Sequence, residues 1–160
     1  MANGILEEIK PTRPLTTLQE EAALNVVRTA DALKRGGKLL CRSHGLTSAQ
    51  YNVLRILRGA GERGLHCSAI AERMITAEPD ITRLLTRMER LGLLVRHGDI
   101  ADRRMVTAIA TDRGLRLLDE LEAPLRELQE RQFALLSESE IETLIAGLER
   151  VRQSVAQITS

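Results

Sequence analysis

One segment of the chain has a sharply two-sided pattern, Pro79-Asp-Ile-Thr-Arg-Leu-Leu-Thr-Arg-Met-Glu-Arg-Leu-Gly92. Its apolar residues recur at the spacing of one helical face, so the pattern predicts a helix over residues 79–91 with a buried stripe. Pro79 suits a first helical turn, and Gly92 suits a helix end. The stripe contains Ile81, Leu84, Leu85, Met88 and Leu91, and the opposite face carries Thr82, Arg83, Thr86, Arg87 and Arg90.

The neighbours of this helix complete a recognisable unit. A short helix is predicted over residues 67–74, with a turn at Ile75-Thr-Ala77 before the amphipathic segment. Two extended segments follow, residues 93–97 and 105–110, joined by the polar loop Gly98-Asp-Ile-Ala-Asp-Arg-Arg104. A helix, a turn, a second helix and a charged hairpin are the layout of a winged helix-turn-helix.

The chain before this unit predicts an arm and two helices. Residues 1–15 contain two prolines and no clear period, so we expect an arm that packs on another part of the molecule. Apolar residues then recur at helical spacing over residues 18–41, although Gly36-Gly37 costs roughly 1 kcal/mol per glycine and permits a kink. Thr47 and Gln50 form a capping box that begins the second of these helices.

Two long helices are predicted after the hairpin. Thr111-Asp-Arg-Gly114 opens the first, and Pro124 is expected to kink or split it because proline lacks a backbone donor. Ser137-Glu-Ser-Glu140 is a second capping box. The inward face of the last helix is expected to contain Ile141, Leu144, Ile145, Leu148, Val151 and Val155. Such apolar faces exceed what a small winged domain can cover, which favours a symmetric dimer.

The sequence therefore predicts a mainly α fold with a small β-hairpin wing. Residues 1–160 form a single domain, in which residues 46–114 are the winged helix-turn-helix DNA-binding region. Residues 1–45 and 115–160 supply dimerisation helices.

Composition narrows the class of protein. Among 160 residues, 43% are hydrophobic, but Tyr51 and Phe133 are the only aromatic residues, which argues against a surface that stacks single-stranded bases or sugars. No apolar run approaches the roughly 18 residues of a membrane span, and the first residues are acidic rather than signal-like. We expect a cytoplasmic protein with reduced cysteines and no membrane partner.

The net charge of +1 conceals a polarised chain. Residues 1–64 carry ten basic and six acidic side chains, whereas residues 115–160 carry five and nine. Thr82, Arg83, Thr86 and Arg87 are predicted to reach the major groove of a DNA duplex. Arg103 and Arg104 at the hairpin tip are predicted to lie over a minor groove, whose negative potential attracts arginine.

Other chemistries have weak support. The three histidines and two cysteines form no Cys-x-x-Cys or His-x-x-x-His pattern, so neither a metal nor a cofactor is expected. Nothing marks a nucleophile elbow or an oxyanion hole, which argues against an enzyme. Cys41 is expected to fill core space. Cys67 is predicted in a first helical turn, where a thiol can become reactive, or is simply a buried helix-start residue.

The sequence resembles the multiple antibiotic resistance regulator (MarR) family. The resemblance covers about residues 18–155. Its matching segments are Leu46-Thr-Ser-Ala-Gln-Tyr-Asn-Val-Leu54, Ser68-Ala-Ile-Ala-Glu-Arg-Met74, residues 80–96, Asp102-Arg-Arg104 with Thr111-Asp-Arg-Gly114, and the Ser137-Glu-Ser-Glu140 start. The pattern Asp-x-Arg followed by Thr-x-x-Gly is the most specific part. Ala110 stands where the family usually has leucine, which is a change in packing.

The resemblance implies a homodimeric, DNA-binding transcription regulator that binds a pseudo-palindromic operator. It also implies repression relieved by a small, often aromatic, acidic effector. By motif position Arg104 is the wing arginine, and Asp102 would stabilise the wing by pairing with an arginine, since a carboxylate beside phosphate is repulsive. The family places the effector near the junction of the dimerisation helices and the winged region, where Arg42, His44 and Tyr51 could bind a carboxylate.

Two alternatives remain open at this point. One is a thiol-sensing or redox-sensing regulator that uses Cys67, although thiol-sensing members of the family typically carry the reactive cysteine much nearer the N-terminus. The other is a winged-helix protein-interaction module without DNA binding, which the near-zero net charge keeps open.

Overall fold

The computed structural model describes residues 4–11, 15, 17–98 and 106–159 of the chain. These residues belong to two compact units, residues 1–124 and 125–160. Among the described residues, no helix combines the length and the apolar character required to cross a membrane.

The described chain is mainly helical, with one small antiparallel sheet, so the predicted fold class is confirmed. The elements are α1 (Ile5–Ile9), α2 (Leu18–Ser43), α3 (Ser48–Ala60), a 3₁₀ turn (Gly61–Arg63), β1 (Leu65–His66), α4 (Cys67–Arg73), α5 (Ile81–Arg90), β2 (Leu94–Gly98), β3 (Val106–Ala110), α6 (Asp112–Gln132) and α7 (Glu138–Ile158).

The sheet has three strands in the order β1-β3-β2, rather than a two-stranded hairpin. β2 and β3 pair from Leu94 opposite Ala110 to Gly98 opposite Val106. β1 pairs with the other side of β3 through two residues, Leu65 and His66. A strand of two residues has no period to detect in a sequence, which is why the sequence pattern did not predict it. This pairing leaves β2 at an edge of the sheet.

The core of the first unit forms where α3 and α5 pack near the sheet. Leu54, Leu57, Leu85, Met88 and Leu94 are almost wholly buried. The predicted stripe of α5 is therefore correct at its centre. It is wrong at Leu91, which follows the helix and is 40% exposed.

The start of α5 differs from the sequence prediction. The helix begins at Ile81, so Pro79 precedes it instead of occupying its first turn. Asp80 is the N-cap, and its carboxylate accepts a hydrogen bond from the Arg83 N–H at 2.9 Å. A side chain that satisfies an unpaired N–H determines where this helix begins more effectively than proline does. Both capping boxes, at Thr47 and at Ser137, are confirmed.

The predicted arm packs on α2, as expected, but part of it is the helix α1. Ile5 is buried, and the Glu8 carboxylate lies 3.3 Å from Nε of Arg28. α2 runs as one helix through Gly36-Gly37, and α6 continues through Pro124 instead of splitting there. Of the kink or split predicted at Pro124, the split does not occur, because the loss of one backbone donor does not end a helix with a long apolar face.

The Thr111-to-Gly114 motif joins the start of α6 to the turn that follows α5. The Thr111 hydroxyl donates to the Gly92 carbonyl at 2.7 Å and accepts from the Gly114 N–H at 3.2 Å. Gly114 is buried, and a Cβ there would lie against the carbonyl of Leu93 and 2.8 Å from Cδ2 of Leu54. A glycine is required because the two backbones approach too closely for any side chain.

We therefore expect Gly114→Ala to lower the free energy of unfolding by about 1–3 kcal/mol, the usual cost of overpacking. Chemical denaturation followed by circular dichroism measures this change. Gly59→Ala is the matched control, since a Cβ at position 59 would have no neighbour within 4 Å and α3 is helical there. The control should be unchanged or more stable by up to about 1 kcal/mol. Equal stabilities of the two variants would contradict the packing argument.

Candidate nucleic-acid interface

The exposed side of α5 forms an open groove with a basic lining. The lining residues are Asp80, Thr82, Arg83, Thr86, Arg87 and Arg90. The four residues predicted to reach DNA therefore lie together with Arg90 of the same predicted face, and the structure adds Asp80 to them. Arg83 and Arg87 are exposed, and neither forms an ion pair within the described part of the chain. Their guanidinium groups are available to an anionic partner.

The two threonines of this face are partly engaged within the protein. The Thr86 hydroxyl donates to the Thr82 carbonyl at 2.9 Å, and the Thr82 hydroxyl lies 3.7 Å from the Cys67 thiol. Their methyl groups and the remaining lone pairs can still contact a partner. The arginines, rather than the threonines, are therefore the strongest unsatisfied groups on the face.

A buried asparagine holds the turn before α5. Asn52 on α3 is buried, and its side-chain oxygen accepts a hydrogen bond from the Ile75 N–H at 2.9 Å. No local pattern indicates this contact, because the two residues are far apart in the chain. The bond fixes the turn that links α4 to α5, and so it helps to place the basic groove.

An ion pair connects α5 to the first long strand. Oε2 of Glu89 accepts from Nε of Arg96 at 2.9 Å and from Nη2 at 2.6 Å, while Oε1 accepts from the Arg96 N–H at 3.1 Å. The side-chain hydrogen bonds from Arg96 hold the pKa of Glu89 below its usual value. The end of α5 and β2 are therefore joined by three hydrogen bonds to one carboxylate.

The predicted wing tip cannot be placed beside this groove. Asp102, Arg103 and Arg104 lie outside the described residues. Their assigned roles as wing contacts and wing stabiliser stay predictions.

A second cavity of about 260 Å³ lies in the first unit. Its lining residues are His44, Gly45, Leu46, Leu91, Leu93, Arg113, Arg116, Leu117 and Glu120. Of the three residues proposed from sequence for an effector pocket, only His44 contributes to it. Arg113 and Arg116, which the sequence reasoning missed, supply its positive charge. Their contribution to the cavity depends on the tertiary structure, which places the start of α6 beside the turn after α2.

The other two proposed effector residues lie elsewhere. Arg42 is exposed near the end of α2. Tyr51 is half-buried, and burial raises the pKa of its hydroxyl, while Arg55 nearby has the opposite effect. Arg58 on the same helix bridges two carboxylates of α6, Asp119 and Glu122, at 3.3 Å each. Arg58, one of the two arginines near Tyr51, is thus already paired with carboxylates of α6.

The two cysteines differ in accessibility. Cys41 is buried, as expected of a core residue, and burial raises the pKa of its thiol. Cys67 is half-buried at the start of α4, with its sulfur beside Thr82 of the basic groove. The partial exposure of Cys67 allows its thiol to react, whereas a residue that only fills space at the helix start would be fully buried.

We expect the native protein to react with one equivalent of 5,5′-dithiobis(2-nitrobenzoate) quickly and with the second only slowly at pH 8. Cys67→Ser should abolish the fast phase, and Cys41→Ser should retain it, because a buried thiol with a raised pKa forms little thiolate. Release of thionitrobenzoate measured by absorbance distinguishes the phases. A fast phase that survives in Cys67→Ser would contradict the assignment.

Several large apolar side chains remain exposed in the single chain. On α2 these are Leu18, Val26, Val27 and Leu39, and on α7 they are Leu144, Ile145, Val151, Val155 and Ile158. Four of the α7 residues were predicted to point inward. Within one chain this prediction is wrong, because nothing in the described part of the chain covers them.

Comparison with known proteins agrees with this geometry. Residues 44–105 match the model of the MarR family. The uncharacterized HTH-type transcriptional regulator YkoM of Bacillus subtilis is 33% identical over 135 residues, which are 81% of this chain and 86% of that protein. The chain belongs to the MarR family. A solved MarR transcription factor from Planctomyces limnophilus is 38% identical, with a TM-score of 0.66 over 85% of this chain and 98% of that one.

A further relative of this MarR-family chain is named for its role. The homoprotocatechuate degradative operon repressor of Escherichia coli is 25% identical over 132 residues, which are 82% of this chain and 88% of that protein. The family predicted from the motifs is confirmed by these matches.

Proposed function

We propose that this MarR-family regulator is a cytoplasmic homodimer that binds a pseudo-palindromic operator and represses transcription. The observation that carries the proposal is the basic groove on α5, where Arg83 and Arg87 are exposed and without ion-pair partners in the described residues. Arginine forks match guanine edges and phosphates, and a recognition helix delivers them to the major groove. Thr82 and Thr86 would add contacts beside them.

The exposed apolar residues of α2 and α7 support the dimer. Exposed apolar side chains that recur along a helix are often covered by a partner, and a two-fold axis lets one surface cover itself. A dimer would present two copies of α5 to successive major grooves on one side of a duplex, about one helical turn apart. This arrangement accounts for a palindromic site.

A small acidic effector would act through the cavity near His44. Arg113 and Arg116 outnumber Glu120, so the lining favours a single negative charge, and four leucines surround it. The volume lies just below the range of about 300–1,000 Å³ that is common for ligand pockets, which favours a small molecule. An effector that binds more tightly to a form of the dimer whose recognition helices do not fit the operator would lower DNA affinity. The loss equals the difference between the free energies of effector binding to the two forms.

Replacement of a groove arginine tests DNA recognition. Arg83→Ala and Arg87→Ala should each weaken operator binding by about tenfold or more, because a good arginine contact contributes about 1–3 kcal/mol. Fluorescence anisotropy at several salt concentrations measures the effect, with duplexes taken from the DNA upstream of the gene.

The matched control is Arg126→Ala, which removes an exposed arginine of α6 outside the winged region. Its affinity should stay within about twofold of the wild type. Wild-type binding that has no sequence preference would instead favour the protein-interaction module. Equal losses of affinity in all three variants would show that the arginines of α5 contribute only their positive charge.

Arg116→Ala tests the effector cavity. With benzoate as the probe, we expect the wild type to melt at a higher temperature and to release operator DNA, since the carboxylate pairs with arginine in a partly apolar site. Arg116→Ala should lose both responses, and Arg42→Ala should keep both because Arg42 does not line the cavity. A response that depends on Arg42 and not on Arg116 would restore the site proposed from sequence.

A further inference from the structure

The joint between the recognition helix and the wing strand is held by one carboxylate. β2 is an edge strand, so one row of its backbone groups has no strand partner. Glu89 of α5 accepts from the Arg96 N–H of β2 with one oxygen and from the Arg96 guanidinium with the other. The Glu89 side chain at the end of α5 thereby accepts from the Arg96 N–H of β2 and also pairs with the charge of the Arg96 guanidinium.

The intervening turn is also fixed. The Gly92 N–H donates to the Glu89 carbonyl at 2.9 Å, and the Leu93 N–H donates to the Met88 carbonyl at 3.0 Å. Gly92 has φ of +68°, a conformation that favours glycine. The turn constrains one side of the joint, and the Glu89–Arg96 pair constrains the other. Removal of the pair would let the turn at Gly92 act as a hinge, limited by the pairing of β2 with β3.

A small rotation at this hinge would produce a larger displacement at the far end of β2. β2 has five residues, so at about 3.3 Å per residue its far end lies about 13 Å from Leu94. A rotation of roughly 10° about the joint would therefore move that end by about 2 Å, which exceeds the tolerance of a hydrogen bond. Whatever the wing contacts, its position relative to the groove arginines depends on this joint.

Arg96 is less suited than the groove arginines to contact a phosphate directly. Its side chain is only 25% exposed, and both its Nε and its Nη2 are already bonded to Glu89. Arg83 and Arg87 are exposed and unpaired in the described residues. The paired charges also cancel, so the carboxylate adds little repulsion toward an approaching duplex.

We infer that the Glu89–Arg96 ion pair is a positioning device, which sets the wing strand against the recognition helix and so determines how well the protein discriminates its operator from other DNA. This inference rests on the proposed DNA-binding function. The pair acts through the geometry of α5 and β2, and neither side chain needs to touch a base.

The test compares affinities for the operator and for a random duplex at several salt concentrations. Glu89→Gln, Arg96→Gln and the double variant should each lower the operator preference about tenfold, with the double variant no worse than either single variant, since each change removes the same interaction. Arg96→Lys should also lose preference, because it keeps the charge but not the fork. Glu72→Gln, an equal charge change at an exposed residue of α4, should keep the wild-type preference.

Two results would overturn the inference. If Arg96→Gln weakens both duplexes equally with a salt slope shallower by about one, while Glu89→Gln keeps the preference, Arg96 is a phosphate contact. If all the variants keep the wild-type preference, the pair has no role in discrimination.

Amide hydrogen exchange without DNA gives a second readout. Exchange in β2 should be about tenfold faster in Glu89→Gln and Arg96→Gln, with α7 unchanged, because the pair holds only the edge strand. Unchanged exchange in β2 would refute the claim that the Glu89–Arg96 pair holds β2 against α5, even if no operator is found. Absence of any operator preference in the wild type, together with faster exchange, would instead refute the proposed function while leaving the joint established.

Discussion

The burial of one stripe of α5 is the constraint from which the interface follows. Leu85 and Met88 are almost wholly excluded from solvent, so the helix cannot rotate about its axis without exposing them. A helix fixed on one side has its other side fixed as well. Arg83 and Arg87 are therefore held outward together, and the basic groove is a consequence of core packing rather than of any attraction among its own residues.

Around that helix, the polar contacts serve mainly to set its position. Asp80 determines where α5 begins, Asn52 fixes the turn before it, and Glu89 joins its end to β2. Each contact satisfies a backbone N–H that would otherwise lack a partner, so each combines structural and orienting roles. None of these three side chains needs to contact DNA for the interface to depend on it.

The sequence predicted the parts of the molecule whose signals are local. The capping boxes at Thr47 and Ser137, the long helices and the two strands of the hairpin were found, because caps and periods are properties of neighbouring residues. Arg113 and Arg116 were missed as cavity residues, and Arg42 and Tyr51 were proposed instead. Closeness in sequence is a poor guide to which residues share a cavity.

The sequence by itself determined the family, the fold class and the composition of the exposed face of α5, since each depends on a pattern of residues close together in the chain. Only the tertiary structure decided that β1 pairs with β3, that Gly114 lies against Leu93, and that one carboxylate joins the recognition helix to β2. The physical reason is that these contacts join segments distant along the chain. Their geometry exists only after the core has packed.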